Sequence, residues 1–306
     1  MLTLFSTPKP FEGHIAVIQR NAIQSWKRLH PDVDVILFGD DKGAAQASAE
    51  LGVRHVLTVQ RNEHGTKFLT SIFDQAQDLA RYDLLCYVNC DILLLSDYAR
   101  ALSAVAARFP RFLMVGQRWD TDIRQPIPFH LSGWEDRVRQ RSAEDNHLRP
   151  PNWIDYFTFR RGLFYKNTPP FVIGRPGWDN WLLWKARSSG AAVIDASEAV
   201  RAIHQNHDYS YHPDGEAGVW QGEEAQHNYA LLENGRFFGT IENATHRLSP
   251  SGFRRNYRHW GVLAARAARH LADRVWFAGL NVTRPVRHRI GLRRSAGLAA
   301  VAKSPK

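Results

Sequence analysis

The feature that most constrains this chain is the alternation of short apolar segments with amphipathic ones through residues 1–116. Leu2–Phe5, Val33–Phe38, Val53–Val56, Leu84–Val88 and Phe112–Gly116 are β-rich and too short to be helices. Between them, apolar residues recur at helical spacing. Ile15, Ile18, Ala22, Trp26 and Leu29 predict a helix over 14–30, which Pro31 stops. A second helix fits 43–51 and ends at Gly52. Phe68, Leu69, Ile72, Phe73, Ala76, Leu79 and Ala80 line one face of a third, and Tyr98–Arg108 makes a fourth. Strands that alternate with helices over short connections build a parallel sheet with helices on its faces, so the fold class is α/β. Ligands of such sheets sit beyond the carboxyl ends of the strands. The polar residues Ser6-Thr7, Asp40-Asp41 and Asn89-Cys90-Asp91 fall at those ends, and Ile92–Leu95 continues the extended run.

The second half is less regular. Residues 117–152 are polar, charged and rich in proline, which reads as an insertion or lid with a helix at 132–145. Tyr156–Phe159 is a predicted strand. Phe171-Val172-Ile173-Gly174 leads into a loop and a Trp-rich helix at 179–188, followed by short strands at Ala192–Asp195 and Ala202–His204. Two cysteines, Cys86 and Cys90, imply no disulfide framework and cannot alone make a structural zinc site. The opening MLTLFSTPKPF has neither the charged region nor the long apolar region of a signal peptide. No apolar run reaches the roughly 20 residues a bilayer span needs, so a cytoplasmic protein is expected.

Three groups of residues carry chemistry. Asp91 follows the most apolar strand, where a carboxylate is either a plain turn residue or a ligand for Mg²⁺ or Mn²⁺. Such an ion can bridge the oxygens of a diphosphate. Asn89 can ligate through its carbonyl oxygen or bind a ribose. About a hundred residues on, His204 stands in Ala202-Ile203-His204-Gln205-Asn206-His207-Asp208-Tyr209. It is either a polar surface histidine or a residue that closes the shell of an ion, and imidazole suits Mn²⁺ better than Mg²⁺. In Gly174-Arg175-Pro176-Gly177-Trp178-Asp179-Asn180-Trp181, Asp179 sits at a helix start. It is either an N-cap or a general base, with Trp178 and Trp181 as rings on which a sugar can stack. By position, Ser6, Thr7 and Asp40 line a nucleotide cleft, Lys67 approaches phosphate, and Asp155 reaches sugar hydroxyls.

The segments Leu4–Phe11, Tyr87–Leu94, Asp155–Phe159, Ile173–Trp181 and Ala202–Gln205 come in an order that resembles the GT-A nucleotide-diphospho-sugar transferases, over roughly residues 1–210. The resemblance implies a Rossmann-like, mostly parallel sheet flanked by helices. It also implies a nucleotide-sugar donor held through a divalent metal, and transfer of the sugar to a hydroxyl. Asn89 and Asp91 match the family's Asp-x-Asp, with Asn in place of the first Asp. Asp179 matches the acidic residue of the acceptor-side helix, and His204 the late metal-binding histidine of some members. On this reading residues 1–246 are the transferase domain, with a nucleotide-binding half at 1–116 and an acceptor and metal half at 117–246.

Charge separates off the rest. Of 40 Lys and Arg and 30 Asp and Glu, residues 247–306 hold 14 basic and one acidic, a net charge of +13. Residues 1–246 hold 26 and 29, a net charge of −3. Trp260, Leu263, Ala264, Ala267, Leu271 and Val275 fall on one helical face of this basic tail. That predicts either an interfacial helix on an anionic bilayer or a helix packed on the body with its arginines in solvent. The bilayer alternative places the enzyme peripherally at the inner face of the membrane. It would suit a lipid-linked acceptor or the synthesis of a surface polysaccharide. No nucleic-acid partner is expected, since the body offers no second basic surface. Two other functions fit the same sheet. A sugar-1-phosphate nucleotidyltransferase would want a glycine-rich loop after the first strand, where Ser6-Thr7-Pro8-Lys9-Pro10 has none. A non-catalytic nucleotide-sugar-binding scaffold would keep the fold without turnover.

Overall fold

The computed structural model describes residues 1–208 and 214–257. The chain divides into two compact units, Met1–Asn256 and Tyr257–Lys306. The described residues make up the first, with Tyr257 opening the second. The predicted amphipathic helix around Trp260–Val275 lies outside the described residues. Among the described residues, no helix is long and apolar enough to cross a membrane.

The first half folds as its pattern dictates: β1 (Thr3–Ser6), α1 (Gly13–Lys27), β2 (Asp34–Phe38), α2 (Ala44–Leu51), β3 (Arg54–Val56), α3 (Leu69–Leu79) and β4 (Leu84–Val88). The parallel strands β1, β2 and β3 step outward, and β4 then returns to the other side of β1. The strand order therefore reverses between β1 and β4, and a crevice opens beyond their carboxyl ends.

Next come β5 (Ile92–Leu93), α4 (Ser96–Arg108), β6 (Phe112–Val115), β7 (Arg118–Thr121), α5 (Trp134–Asp145), β8 (His147–Leu148) and β9 (Tyr156–Arg160). The chain then forms α6 (Trp178–Ser188), β10 (Ala192–Asp195), β11 (Ala202–Gln205), α7 (Gly215–Gln221), α8 (Glu223–Leu231), β12 (His246–Ser249) and β13 (Gly252–Arg255). Among the described residues, nine strands form the main sheet in the order β13-β12-β10-β6-β9-β4-β1-β2-β3. Its parallel run is broken by β9, which is wedged antiparallel between β4 and β6, and by the antiparallel end strand β13. A second sheet, β5-β11-β7-β8, lies across the carboxyl end.

Three outcomes differ from the pattern reading. Ile92–Leu93 does not extend β4 but pairs antiparallel with β11 in the small sheet. The polar segment 117–152 is not only an insertion, because β7 and β8 within it belong to that sheet. The charge boundary at 246/247 falls inside β12, and the first compact unit continues to Asn256.

Side chains alternate across the strands, so the main sheet has two apolar faces. Phe5, Leu85, Tyr87, Phe157 and Phe159 meet α3 and α6 on one face. Leu4, Cys86, Val88 and Tyr156 meet α1 and α4 on the other. Trp26 of α1 donates its indole N–H to the Ile92 carbonyl at 2.8 Å, which ties the second face to the small sheet. The first face is organised around Phe73, whose ring centroid lies 5.2 Å from Phe5, 5.5 Å from Tyr87, 5.8 Å from Phe159 and 6.0 Å from Phe164. Removing a fully buried ring from such a cluster loses its transfer energy and leaves a cavity. Phe73→Ala is therefore expected to lower unfolding stability by about 3–5 kcal/mol. Urea unfolding should show this as a lower midpoint with an unchanged slope.

Candidate active site

A cavity of about 520 Å³ opens at the carboxyl ends of β1 and β4, where the strand order reverses. The structure brings Thr7, Lys67, Asn89, Asp91, Asp155, Trp178, Asp179 and His204 to its walls. Three of the expected residues do not reach it. Ser6 is fully buried beneath the floor. Asp40 faces solvent and pairs with Arg61, because the chain turns after β2 so that Asp41 lines the cavity instead. Trp181 faces the core.

Strand register assembles the polar end. β11 runs beside β5 with His204 opposite Ile92, one residue beyond Asp91. The Gln205 amide N–H donates to the Asp91 carbonyl at 3.1 Å. His207 follows in the next loop and places Nε2 3.2 Å from Asp91 Oδ2. Ligand atoms of Asp91, His204 and His207 all lie within 4.8 Å of one another. Asp91 Oδ1 is buried without a hydrogen-bond partner. One carboxylate and two imidazoles around an unsatisfied oxygen are a donor set that fits a divalent ion. From sequence the ligand role fell to His204, with the second histidine three residues on, His207, as support.

The histidines are oriented as ligands are. β7 runs parallel to β11 with Asp120 opposite His204, and His204 Nδ1 lies 3.3 Å from Asp120 Oδ1. That contact is electrostatic, since His204 Nδ1 makes no hydrogen bond among the described residues. Burial and the nearby Arg118 guanidinium lower the His204 pKa, which favours the neutral ring a metal requires. His207 Nδ1 lies 2.6 Å from the Asp208 carbonyl. A carbonyl only accepts, so Nδ1 carries a proton and Nε2 faces Asp91. Burial pushes the Asp91 carboxyl up, but the positive charge beside it, Lys9 first, outweighs this and holds it well below the usual carboxylate range.

A buried chain of polar contacts braces this cluster. Asn89 donates its side-chain amide to Asp155 Oδ1, and Arg118 Nη1 donates to Asp155 Oδ2 at 2.7 Å. Arg118 Nε in turn donates to Asp120 at 3.0 Å, and Arg149 pairs with the other Asp120 oxygen at 3.1 Å. Asp155 is thus occupied on both oxygens. The arrangement also accounts for Asn at position 89, since a carboxylate there would face Asp155 with no proton to donate.

Asp179 lies on another wall, partly buried. α6 begins at Trp178 with Gly177 as its N-cap, so Asp179 is not the cap. Its Oδ1 accepts the Gly177 amide N–H at 3.2 Å. Gly177 has φ +100° and a Cβ there would meet Leu232 at 3.0 Å, so glycine is the residue this turn accepts. Desolvation raises the Asp179 carboxyl to about 7; the Asp155 charge adds to the rise, and backbone amides oppose it. A carboxyl in that range is matched to proton transfer near neutral pH.

The two flanking indoles have other duties. Trp178 packs edge-on to Tyr87 at 5.3 Å and against Phe157, and Trp181 packs on Phe171. Both are buried in the core. The aromatic pair at the cavity rim is instead Trp153 and Trp220, partly exposed with centroids 5.4 Å apart. Arg149 lies over the Trp153 ring at 4.0 Å. Lys67 is held by Thr7 at 2.7 Å and by Asp41, and burial lowers its pKa in spite of that pairing.

No protein-family model matches the chain, and no curated protein matches it. Solved structures do resemble it. The Mycobacterium tuberculosis glucosyl-3-phosphoglycerate synthase in complex with Mg²⁺ and uridine diphosphate is 15% identical, with a TM-score of 0.43 over 76% of this chain and 78% of that one. The Pyrobaculum calidifontis mannosyltransferase in complex with GDP-mannose and Mn²⁺ is 13% identical, with a TM-score of 0.42 over 69% of this chain. S. aureus TarS is 10% identical, with a TM-score of 0.39 over 67% of this chain. The chain spans 58% and 57% of the latter two. At such identities and scores these likenesses carry no residue roles.

Two measurements test the site's electrostatics. Asn89→Asp, which restores an Asp-x-Asp pattern, is expected to destabilise the fold by about 1–3 kcal/mol at neutral pH, because it exchanges a partly buried hydrogen bond for like charge. Chemical unfolding would read it, and a neutral or stabilising result would remove the Asn89–Asp155 contact from the account. Asp179 binds its proton more tightly folded than unfolded, so its contribution to stability falls as pH rises from 3.8 towards about 7 and is flat above. Asp179→Asn should therefore gain stability relative to the native chain across that interval.

Proposed function

We propose that the chain is a glycosyltransferase. It takes a sugar from a nucleotide-diphosphate donor and passes it to a hydroxyl of a glycan or lipid-linked acceptor. The observation that carries this reading is one cavity, at the strand-order reversal, that holds both the Asp91–His204–His207 cluster and Asp179. Asp91, His204 and His207 would hold a divalent ion, with two imidazoles favouring Mn²⁺ over Mg²⁺. Such an ion supplies the positive charge that a departing diphosphate needs.

The remaining roles fall to the chain's own groups. Thr7 and Lys67 stand beside the donor's nucleotide portion, at the carboxyl end of β1. Asp179 accepts the proton of the acceptor hydroxyl. Trp153 and Trp220 offer apolar ring faces to the acceptor sugar, in place of Trp178 and Trp181. Residues 1–116 form the nucleotide half, and 117–246 supply the metal histidines and the acceptor wall. The basic tail, of which residues 258–306 lie outside the described residues, is the part expected to meet an anionic bilayer at the inner face of the membrane.

Calorimetric titration with a panel of nucleotide sugars, first with Mn²⁺ and then with EDTA, tests the reading. Metal-dependent binding of one donor is expected. Asp91→Ala should abolish it. Asp179→Asn should leave it intact while slowing transfer by about a hundredfold or more, the size of a lost general base. Failure of every donor to bind would sink the proposal, and near-native turnover in Asp179→Asn would remove its assigned role.

A further inference from the structure

Lys9 stands where a bound cation would stand. Its Nζ is 3.2 Å from Asp91 Oδ2 and 2.9 Å from His207 Nε2. Those residues are two of the three whose ligand atoms converge with His204. An ammonium only donates, so in this contact His207 Nε2 presents its lone pair, the same lone pair a metal would use. The imidazole nitrogen has one lone pair and cannot serve both an ammonium and a divalent ion.

We infer that Lys9 is a built-in counter-cation of the Asp91–His204–His207 site, and that it must withdraw from His207 when a divalent ion binds. The inference rests on reading that cluster as a metal site. It keeps a buried carboxylate paired in the ion-free protein, where an unpaired one would be costly.

The loop is built so that only the side chain has to move. Lys9 lies between Pro8 and Pro10, directly after β1. Its backbone is clamped by Gln19 of α1: the Lys9 amide donates to Gln19 Oε1 at 2.7 Å, and Gln19 Nε2 donates to the Lys9 carbonyl at 2.9 Å. The side chain is 27% exposed and lines the same cavity as Thr7 and Lys67. An ammonium displaced from His207 therefore remains in the cavity and can pair with an anion there. A lone divalent ion takes the His207 contact from Lys9 and sets a second positive charge beside its ammonium. An ion that arrives with a diphosphate gives the ammonium phosphate oxygens to hold. Lys9 thus couples the two ligands, so that ion and diphosphate each strengthen the other's binding, as linkage requires.

Calorimetry of Mn²⁺ binding, alone and with inorganic pyrophosphate at matched free Mn²⁺, tests this on the native chain and on Lys9→Met. Lys9→Met is expected to bind Mn²⁺ alone about tenfold or more tightly than the native chain, and its enhancement by pyrophosphate should shrink by a similar factor. Lys67→Met removes an ammonium from the same cavity without touching the ligands, and should change Mn²⁺ affinity far less. Amine labelling of the unaltered protein, read by mass spectrometry, gives a second measure. Mn²⁺ should raise labelling of Lys9, and pyrophosphate added with Mn²⁺ should lower it again. Equal Mn²⁺ affinity in native and Lys9→Met protein, or Lys9 labelling indifferent to bound Mn²⁺, would overturn the inference. If Mn²⁺ binds neither protein under either condition, the metal reading of the cluster fails, and the role of Lys9 fails with it.

Discussion

Asp155 stands where the two sheets meet, and both of its oxygens are engaged. One takes the Asn89 amide from the end of β4, the other the Arg118 guanidinium from β7. Arg118 passes the contact to Asp120, and Asp120 sits beside His204 of β11. The result is a buried polar chain from the main sheet to the small one, and the candidate metal cluster is aligned at its end. Taking one partner from a buried pair costs about 3–5 kcal/mol, because the charge left behind has lost its water. An exposed pair such as Arg124–Asp122 contributes about 1 kcal/mol or less. The rigidity of the site therefore comes from a few enclosed contacts, and the many ion pairs on the surface add little to it.

The polar chain is itself electrically balanced. Asp91, Asp120 and Asp155 meet Lys9, Arg118 and Arg149, three carboxylates against three cations. A divalent ion entering alone would upset that balance, and a diphosphate entering with it would offset the added charge. Asp179 lies apart from the balance, with its carboxyl raised by desolvation.

What the sequence disclosed, and what it hid, follows from where each signal came from. β1, β2, β4 and α3 were legible because their apolar period and their burial agree. β7, Arg118-Trp119-Asp120-Thr121, has no apolar run; it is a strand only because β8 and β11 flank it, and long-range pairing leaves no local trace. The antiparallel wedge of β9 was hidden for the same reason. Asp91 and His204 were legible by residue type and position. Asp120 was not, since it needed the β7–β11 register. The indoles of Trp178 and Trp181 misled as sugar platforms. Their spacing with Leu182, three and four residues on from Trp178, is that of a core-facing helix stripe, and the core is where they lie. Lys9 gave a weak signal, a cation between two prolines at the carboxyl end of the first strand.

The main sheet ends in β13, whose residues Arg254 and Arg255 are exposed. By charge alone these arginines belong with the basic tail. In the fold they occupy β13, the outermost strand of the main sheet among the described residues. Charge on such a strand works against edge-to-edge pairing between molecules, a consequence independent of any membrane.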